Sequence, residues 1–475
     1  MTLLEAINDQ KLFGRWFRDP ATWQPWFAFV AALFGLPMTA EQEATYRKHT
    51  GREYLPLGAF MEAWLICGRR AGKSFILALI AVFLACFKSY GQYLGPGERG
   101  TVMVIAADRK QARVIMRYVR GIITGTPMLA KMIEGQLRAD GIDLNNSVTI
   151  EVGTASFRTS RGYAFVAVLC DELAFWQTDE AAEPDYAVLD ALRPGMASIP
   201  GSVLLCASSP YAKRGALWDA YKTYFGKDDP AVMVWRASTR EMNATIPQSV
   251  IDRAMVRDAA SASAEYGADF RTDVQTFISR EAIEAVVEPN CLERPPVEGI
   301  QYVAAVDPSG GSSDSMTLAI AHFEQLTGIA VLDCVREVKP PFSPDSVCRE
   351  FAETIKAYGI ATTRGDRYAG VWPREAMEKH GITYRVSDLV TNDLYRQLLP
   401  RINSGKVDLL DHPVLINQLA GLERRTARGG RDSIDHPPMG HDDVCAAASM
   451  ALHYAADGNR IHITGADLVG RYSWG

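Results

Sequence analysis

Short apolar runs of β type punctuate the chain: Trp64–Cys67, Val102–Ala106, Val148–Val152, Phe165–Cys170, Val203–Ala207 and Val232–Trp235. Helical stretches separate several of them. That alternation predicts a mostly parallel sheet covered by helices, an α/β fold. Residues 1 to about 60 read instead as helical and aromatic, with Trp16, Phe17, Trp23, Trp26 and Phe27, and with turn signals at Pro20 and Pro37. Residues 286–300 hold three prolines and no hydrophobic period, which predicts a linker.

A second α/β pattern follows. Strands are predicted at Tyr302–Asp307, Met316–Phe323 and Ile329–Val335. A helix then opens at Ser343-Pro344, a serine N-cap with proline in the first helical position, and runs to about Tyr358. Another strand ends near Asp366, a helix begins near Trp372, and a last alanine-rich helix runs from about Asp442 to about Ala456. The expected organisation is therefore one domain over 1–285, a linker over 286–300, a second domain over 301–457 and a tail over 458–475.

The longest strongly apolar stretch, Phe75–Phe87, is 13 residues, short of the roughly 20 that a bilayer helix needs, so it is predicted as a core helix. No membrane partner is expected, and the first 18 residues carry no signal-peptide core. Hydrophobic residues at 48% and charged residues at 22% exclude a disordered chain. Fifty basic against 56 acidic side chains exclude a generally basic coat, so any DNA contact must come from local patches. Cysteines 67, 86, 170, 206, 291, 334, 348 and 445 form no CxxC pair. They read as reduced core thiols of a cytoplasmic protein.

The segment CGRRAGKS (67–74) joins a strand to the apolar helix. Backbone N–H groups of a glycine-containing loop wrap phosphates, a lysine reaches the β/γ-phosphates and a hydroxyl holds Mg²⁺. Gly72, Lys73 and Ser74 fit those roles, while the first glycine of the usual motif is displaced from 67 to Gly68. Arg69 and Arg70 lie inside the loop, within expected reach of the phosphates. The apolar strand ending Cys170-Asp171-Glu172 supplies a Mg²⁺-holding acid in Asp171 and a base for the attacking water in Glu172. Ser208 and Ser209 end the next strand, where a polar tip can sense the γ-phosphate. Arg161 is a candidate arginine finger, against the alternative of a structural salt bridge. Arg109, Arg113, Arg117 and Arg120 share one helix face, read as either a solvated face or a DNA or subunit contact.

In the second half, Asp307 and Asp366 end strands and Asp442-Asp443 opens the last helix. Each acid alone would be an ordinary strand-end or N-cap residue. The order strand, strand, strand, helix, strand, helix is that of an RNase H-like sheet, in which the first and fourth strands are neighbours. Three carboxylates there can hold two divalent ions, Mg²⁺ or Mn²⁺, for phosphodiester hydrolysis. Asp314 reads as a turn residue with a distal-ligand alternative, and Arg424, Arg425, Arg428 and Arg431 form a loop suited to a DNA backbone.

The combination resembles the large terminase subunit of tailed bacteriophages, over about residues 40–455, through CGRRAGKS at 67–74, VLCDE at 168–172, ASSP at 207–210, VDPSGG at 306–311, GDRYAG at 365–370 and GHDD at 440–443. The resemblance implies an N-terminal P-loop ATPase domain of the ASCE type joined by a linker to an RNase H-like nuclease domain. It implies an ATP-driven motor that moves double-stranded DNA into a procapsid and cuts the concatemer. Lys73, Ser74 and Asp171 would serve ATP and Mg²⁺, Glu172 would be the catalytic base, Ser208 and Ser209 the coupling motif and Arg161 a trans-acting finger. Asp307, Asp366 and one of Asp442 and Asp443 would be the nuclease acids. Relatives often carry a further aspartate where this chain has Ala446, and the choice within the pair falls on Asp443. Gln42 is the candidate on the adenine side. Implied partners are the portal protein, the small terminase subunit and further copies in a ring. The implied location is the cytoplasm of an infected host or of a lysogen carrying a prophage. Two other readings stand beside this one: a helicase-like or repair ATPase whose second half only binds DNA, and a non-catalytic assembly protein switched by nucleotide.

Overall fold

The computed structural model describes residues 1–155, 162–176, 184–312, 314–366, 372–426, 432–438 and 440–457. The chain divides into two compact units, Met1–Val274 and Gln275–Gly475.

The first unit is built on strands β1 (Glu62–Cys67), β2 (Gly100–Ala106), β3 (Gly141–Leu144), β4 (Val148–Thr154), β5 (Ala164–Asp171), β6 (Val203–Ser208) and β7 (Val232–Ala237). Their order in the sheet is β3-β4-β2-β5-β6-β1-β7. All neighbours are parallel except β3 and β4. Parallel strands covered on both faces read as continuous apolar runs, which is why these were visible in sequence. Alternate residues feed two cores. Ala63, Leu65 and Cys67 of β1 face one side, while Trp64 and Ile66 face the other.

The arrangement places β6 between β1 and β5. The loop after β1 and the acids after β5 are thus brought to one edge with the tip of β6 between them. The helix Lys73–Phe87 is buried along most of its length. The helix Gln24–Leu33 is buried from Trp26 to Leu33, all round rather than along one stripe, so it lies inside the core. Among the described residues no helix is long and apolar enough to cross a membrane.

A short strand β8 (Val274–Thr276) spans the boundary between the units. In the second unit, β9 (Val287–Glu288), β10 (Tyr302–Asp307), β11 (Met316–Glu324), β12 (Ile329–Val338), β13 (Thr362–Gly365), β14 (Thr383–Val386) and β15 (Val407–Leu410) form a sheet in the order β14-β13-β10-β11-β12-β15-β9. β10, β11 and β12 are antiparallel neighbours, whereas β10 and β13 run parallel. The helix Pro344–Ala357 packs in the core on one face, and Asp443–Asp457 in the core on the other. The latter is largely alanine on its buried side, so its backbone approaches β10–β12 closely.

Four expectations change. The segment 286–300 is not a free linker: β9 pairs with β15, and Arg294 donates to Leu332 O and pairs with Asp408 at 2.8 Å. These contacts fasten it as a strap along the second unit, and the boundary between the units falls earlier, at Val274/Gln275. Ser343 precedes its helix but makes no side-chain cap bond, and Pro344 sets the start. Arg424 and Arg425 lie on a strand, β16 (Glu423–Arg425), paired antiparallel with β17 (Ser433–Asp435). The strands β3, β14 and β15 are only four residues each, too short to stand out by periodicity.

Candidate active sites

In the first unit the chain leaves β1 at Cys67 and turns through 68–72 into the helix that Lys73 opens. Gly68 is there for space: a Cβ would stand 2.3 Å from Thr239 Oγ1 and 2.8 Å from both Thr239 N and Tyr266 O. Close backbone approach therefore explains why glycine sits at 68. Cys67 fills the buried strand end, its thiol pushed up to about 12 by burial. Gly72 adopts φ +111°, a conformation that favours glycine, over the indoles of Trp26 and Trp23. Trp26 Nε1 donates to Ala71 O at 3.0 Å, so the buried N-terminal helix props the loop from below.

Lys73 is buried. Its Nζ donates to Cys67 O (3.0 Å), Gly68 O (3.3 Å) and Ser209 Oγ (2.9 Å), and it pairs with Glu172 at 3.4 Å. Ser74 Oγ donates to Asp171 Oδ2 at 2.9 Å. Glu172 has φ +52°, a costly backbone for a non-glycine residue, and that turn aims its carboxylate at the tip of β6. There it accepts from Ser209 N at 3.2 Å, with Ser208 Oγ at 3.4 Å. Gly72, Lys73, Ser74, Asp171, Glu172, Ser208 and Ser209 are thus gathered into one site from three strand ends.

Two expected members stand elsewhere. Arg69 pairs with Glu265 at 2.8 Å, and its N–H bonds to Glu265 O, so the arginine fastens the loop rather than lining it. Gln42 closes a capping box with Thr39 at the start of Ala40–Thr50. Arg70 is exposed. Arg161 lies outside the described residues. Sequence reading missed Gln111, whose Nε2 donates to Asp171 Oδ2 (2.9 Å) and Ser74 Oγ (3.2 Å). Only the position of Asp108, the N-cap that starts its helix beside the sheet edge, hinted at it.

Asp171 is fully buried. Burial, and then the neighbouring Glu172 charge, raise its carboxyl to about 6. Its Oδ1 is buried with no hydrogen-bond partner among the described residues. A buried carboxylate with one open oxygen beside a serine hydroxyl is a donor set that suits a divalent cation carrying its own water.

In the second unit, Val306 pairs with Gly365, so Asp307 and Asp366 follow side by side at adjacent strand ends. Gly365 has no room for a Cβ, which would stand 2.0 Å from Tyr384 Oη. That phenol donates to Asp366 O at 3.2 Å and fixes the strand end. The last helix brings the third acid: Thr317 Oγ1 of β11 donates to Asp443 O (2.7 Å), and Cys445 N donates to Gln418 Oε1 (2.9 Å). Asp442 accepts from Tyr395 Oη at 2.8 Å. Its backbone carbonyl accepts Ala446 N, but its carboxylate is bound to the phenol.

Burial raises Asp307 well above the carboxylate range, and the charges of Asp443, Asp442, Asp366 and Asp314 push it further. Burial raises Asp443 to about 6, with Asp442 and Asp314 adding and His441 opposing. Asp443 Oδ2 is buried without a hydrogen-bond partner among the described residues. His441 and His436 stand 4.0 Å from Asp443 and Asp442 respectively. Among the described residues no three His, Cys, Asp or Glu side chains enclose a metal ion as they stand. The donor set, clustered carboxylates whose charges raise Asp307, is nonetheless that of a hard cation site. Arg424 pairs with Asp432, and Arg425 with Glu423 at 3.1 Å. Arg428 and Arg431 lie outside the described residues.

No family model matches the chain, and no curated protein does. Solved structures with similar folds include the HK97 bacteriophage large terminase, at 16% identity over 88% of this chain and 95% of that one, TM-score 0.37. A large terminase from a thermophilic bacteriophage matches at 10% identity over 90% and 98%, TM-score 0.40. The large terminase nuclease from thermophilic phage G20c with bound magnesium matches at 16% identity over 38% and 98%, TM-score 0.32. At TM-scores below 0.5 these likenesses place no residue.

Proposed function

We propose that this chain hydrolyses ATP to move double-stranded DNA, cuts that DNA in its second unit, and serves as the large subunit of a viral DNA-packaging motor. The observation that carries the proposal is the presence in one chain of two side-chain clusters whose chemistry suits phosphorus–oxygen hydrolysis. One joins Lys73, Ser74, Asp171 and Glu172, and the other sets Asp307 beside Asp366 with Asp443 on the adjoining helix.

In the first site the N–H groups of the first turn after Gly72 face the phosphates, and the Lys73 ammonium carries the β/γ charge. A divalent ion held by Ser74 and Asp171 would supply further charge neutralisation there. Glu172, held by Ser209 N, accepts the proton of the attacking water. In the second site Asp307, Asp366 and Asp443, with Asp442 beside them, would hold two divalent ions that activate water and stabilise the leaving oxygen. The chain's own part is to gather the carboxylates and to hold Asp366 and Asp443 through Tyr384 and Thr317. Portal protein, small terminase subunit and further copies in a ring are the partners this reading requires, and Arg161 would act on a neighbouring copy.

The absence, among the described residues, of a closed three-acid cage favours one competitor, an ATPase whose second unit binds DNA without cutting it. Plasmid cleavage in Mg²⁺ and Mn²⁺ separates the two. The proposal expects cutting by wild type and none by Asp307→Ala or Asp366→Ala. Intact plasmid with all three proteins would select the competitor.

A further inference from the structure

The helix Arg109–Gly125 does two things at once. Its inner side buries Ala112, Ile115, Met116, Val119, Ile122 and Ile123. Its outer side carries Arg109, Lys110, Arg113 and Arg117, all exposed. No acid occurs anywhere in its 17 residues. Among the described residues none of these four side chains is paired with a carboxylate. Arg120, further along, is half-buried and bonds to Arg138 O. Cations in a first helical turn sit at the positive end of the helix dipole, a placement that stability alone disfavours. Among the described residues the Asp108 cap is not paired with any of them; its Oδ1 accepts Gln111 N at 2.8 Å.

Between Arg109 and Arg113 the same helix presents Gln111, which reaches inward to Asp171 and Ser74. A displacement of this turn is therefore felt at the nucleotide site through one side chain. From Arg109 to Arg117 the helix rises about 12 Å, at 1.5 Å per residue. Over that distance along the axis of B-DNA, one strand carries roughly three to four phosphates.

We propose that the arginine face of this helix holds the phosphate backbone of DNA, and that Gln111, as a positioning residue, transmits its occupancy to Ser74 and Asp171. The inference rests on the ATPase reading of the first unit and adds to it the surface where DNA is read.

The test uses the full chain and a short DNA duplex, with binding followed by fluorescence polarisation across a salt series. Arg109→Ala/Arg113→Ala/Arg117→Ala should lower the slope of log affinity against log salt by about 3, close to one per lost phosphate contact. Its ATP hydrolysis without DNA should match wild type, and the stimulation by DNA should fall. Gln111→Ala should keep the wild-type salt slope. It should lose the change in fluorescent Mg–ATP-analogue affinity that DNA produces in wild type, a coupling that is reciprocal by linkage. A triple variant with the wild-type slope and wild-type stimulation overturns the proposal. So does one that keeps the slope but sediments as a smaller species, which would make this face a contact between copies. A wild-type chain that hydrolyses no ATP overturns the ATPase reading instead, while the salt slope still reports whether this face binds DNA.

Discussion

Lys73 and Ser209 meet at the mouth of the first sheet, Nζ to Oγ at 2.9 Å. Ser209 follows β6, the strand between the phosphate loop and the acids, so this bond lets the lysine's position depend on a third strand end. A hydrogen bond to a charged group contributes about 1.5–3 kcal/mol. Ser209→Ala should therefore lower kcat for ATP by roughly 10- to 100-fold. Steady-state kinetics checks this, with KM nearly unchanged because the loop N–H groups still bind phosphate.

Glu172 is held in a strained backbone conformation to place one carboxylate. Glu172→Gln keeps the shape and the bond from Ser209 N but removes the base. The expected result is a kcat loss of about 10²–10⁴-fold with ATP still bound. Single-turnover hydrolysis beside equilibrium binding of a fluorescent ATP analogue measures both.

Asp307 is buried among like charges that raise its carboxyl. Asp307→Asn removes a repelled charge, so the second unit should melt at a higher temperature without metal. In wild type, Mn²⁺ at 100 times its dissociation constant should add about 2.7 kcal/mol of stability. The variant should lose that increment together with cleavage. Thermal scans with and without Mn²⁺, read beside plasmid cutting, give the two effects independently.

Glu241 offers a test by pH. Burial acts to raise its carboxyl, but bonds from Lys48 and Ser238 override it and hold the group at about 2, below its ordinary 4.5. A carboxyl depressed in the folded state contributes stability above its unfolded pKa and loses it as pH falls through the folded one. The difference in urea midpoint between wild type and Glu241→Gln should be full at pH 7, shrink below about 4.5, and be nearly gone toward pH 2.

Much of this was legible from the chain itself. The continuous apolar runs of β1, β2, β4, β5 and β6 announced a doubly covered parallel sheet; Asp171 and Asp307 were visible because each ends an apolar run, and Lys73 because it opens the apolar helix after the glycine loop. Gln111 was not, since a glutamine in a first helical turn carries no chemical signature until the fold lays it beside Asp171. Nor was the strap at 286–300. Proline spacing reads alike whether a segment hangs free or is fastened, and here the fastening is Arg294, whose partners lie 38 and 114 residues away. The arginines at 424 and 425 looked like a loop because a three-residue strand has no period to detect. The shift of the loop glycine from 67 to Gly68 became intelligible only with Thr239 and Tyr266 in place against it.

Two independent candidate sites in one chain carry the proposed function, and the most direct measurement crosses them. Lys73→Ala and Asp307→Ala are assayed side by side for DNA-stimulated ATP hydrolysis and for Mn²⁺-dependent plasmid cleavage. The expected result is that Lys73→Ala abolishes hydrolysis and leaves cleavage, while Asp307→Ala does the reverse. DNA-stimulated hydrolysis that persists in Lys73→Ala, or cleavage undiminished in Asp307→Ala, would contradict the account.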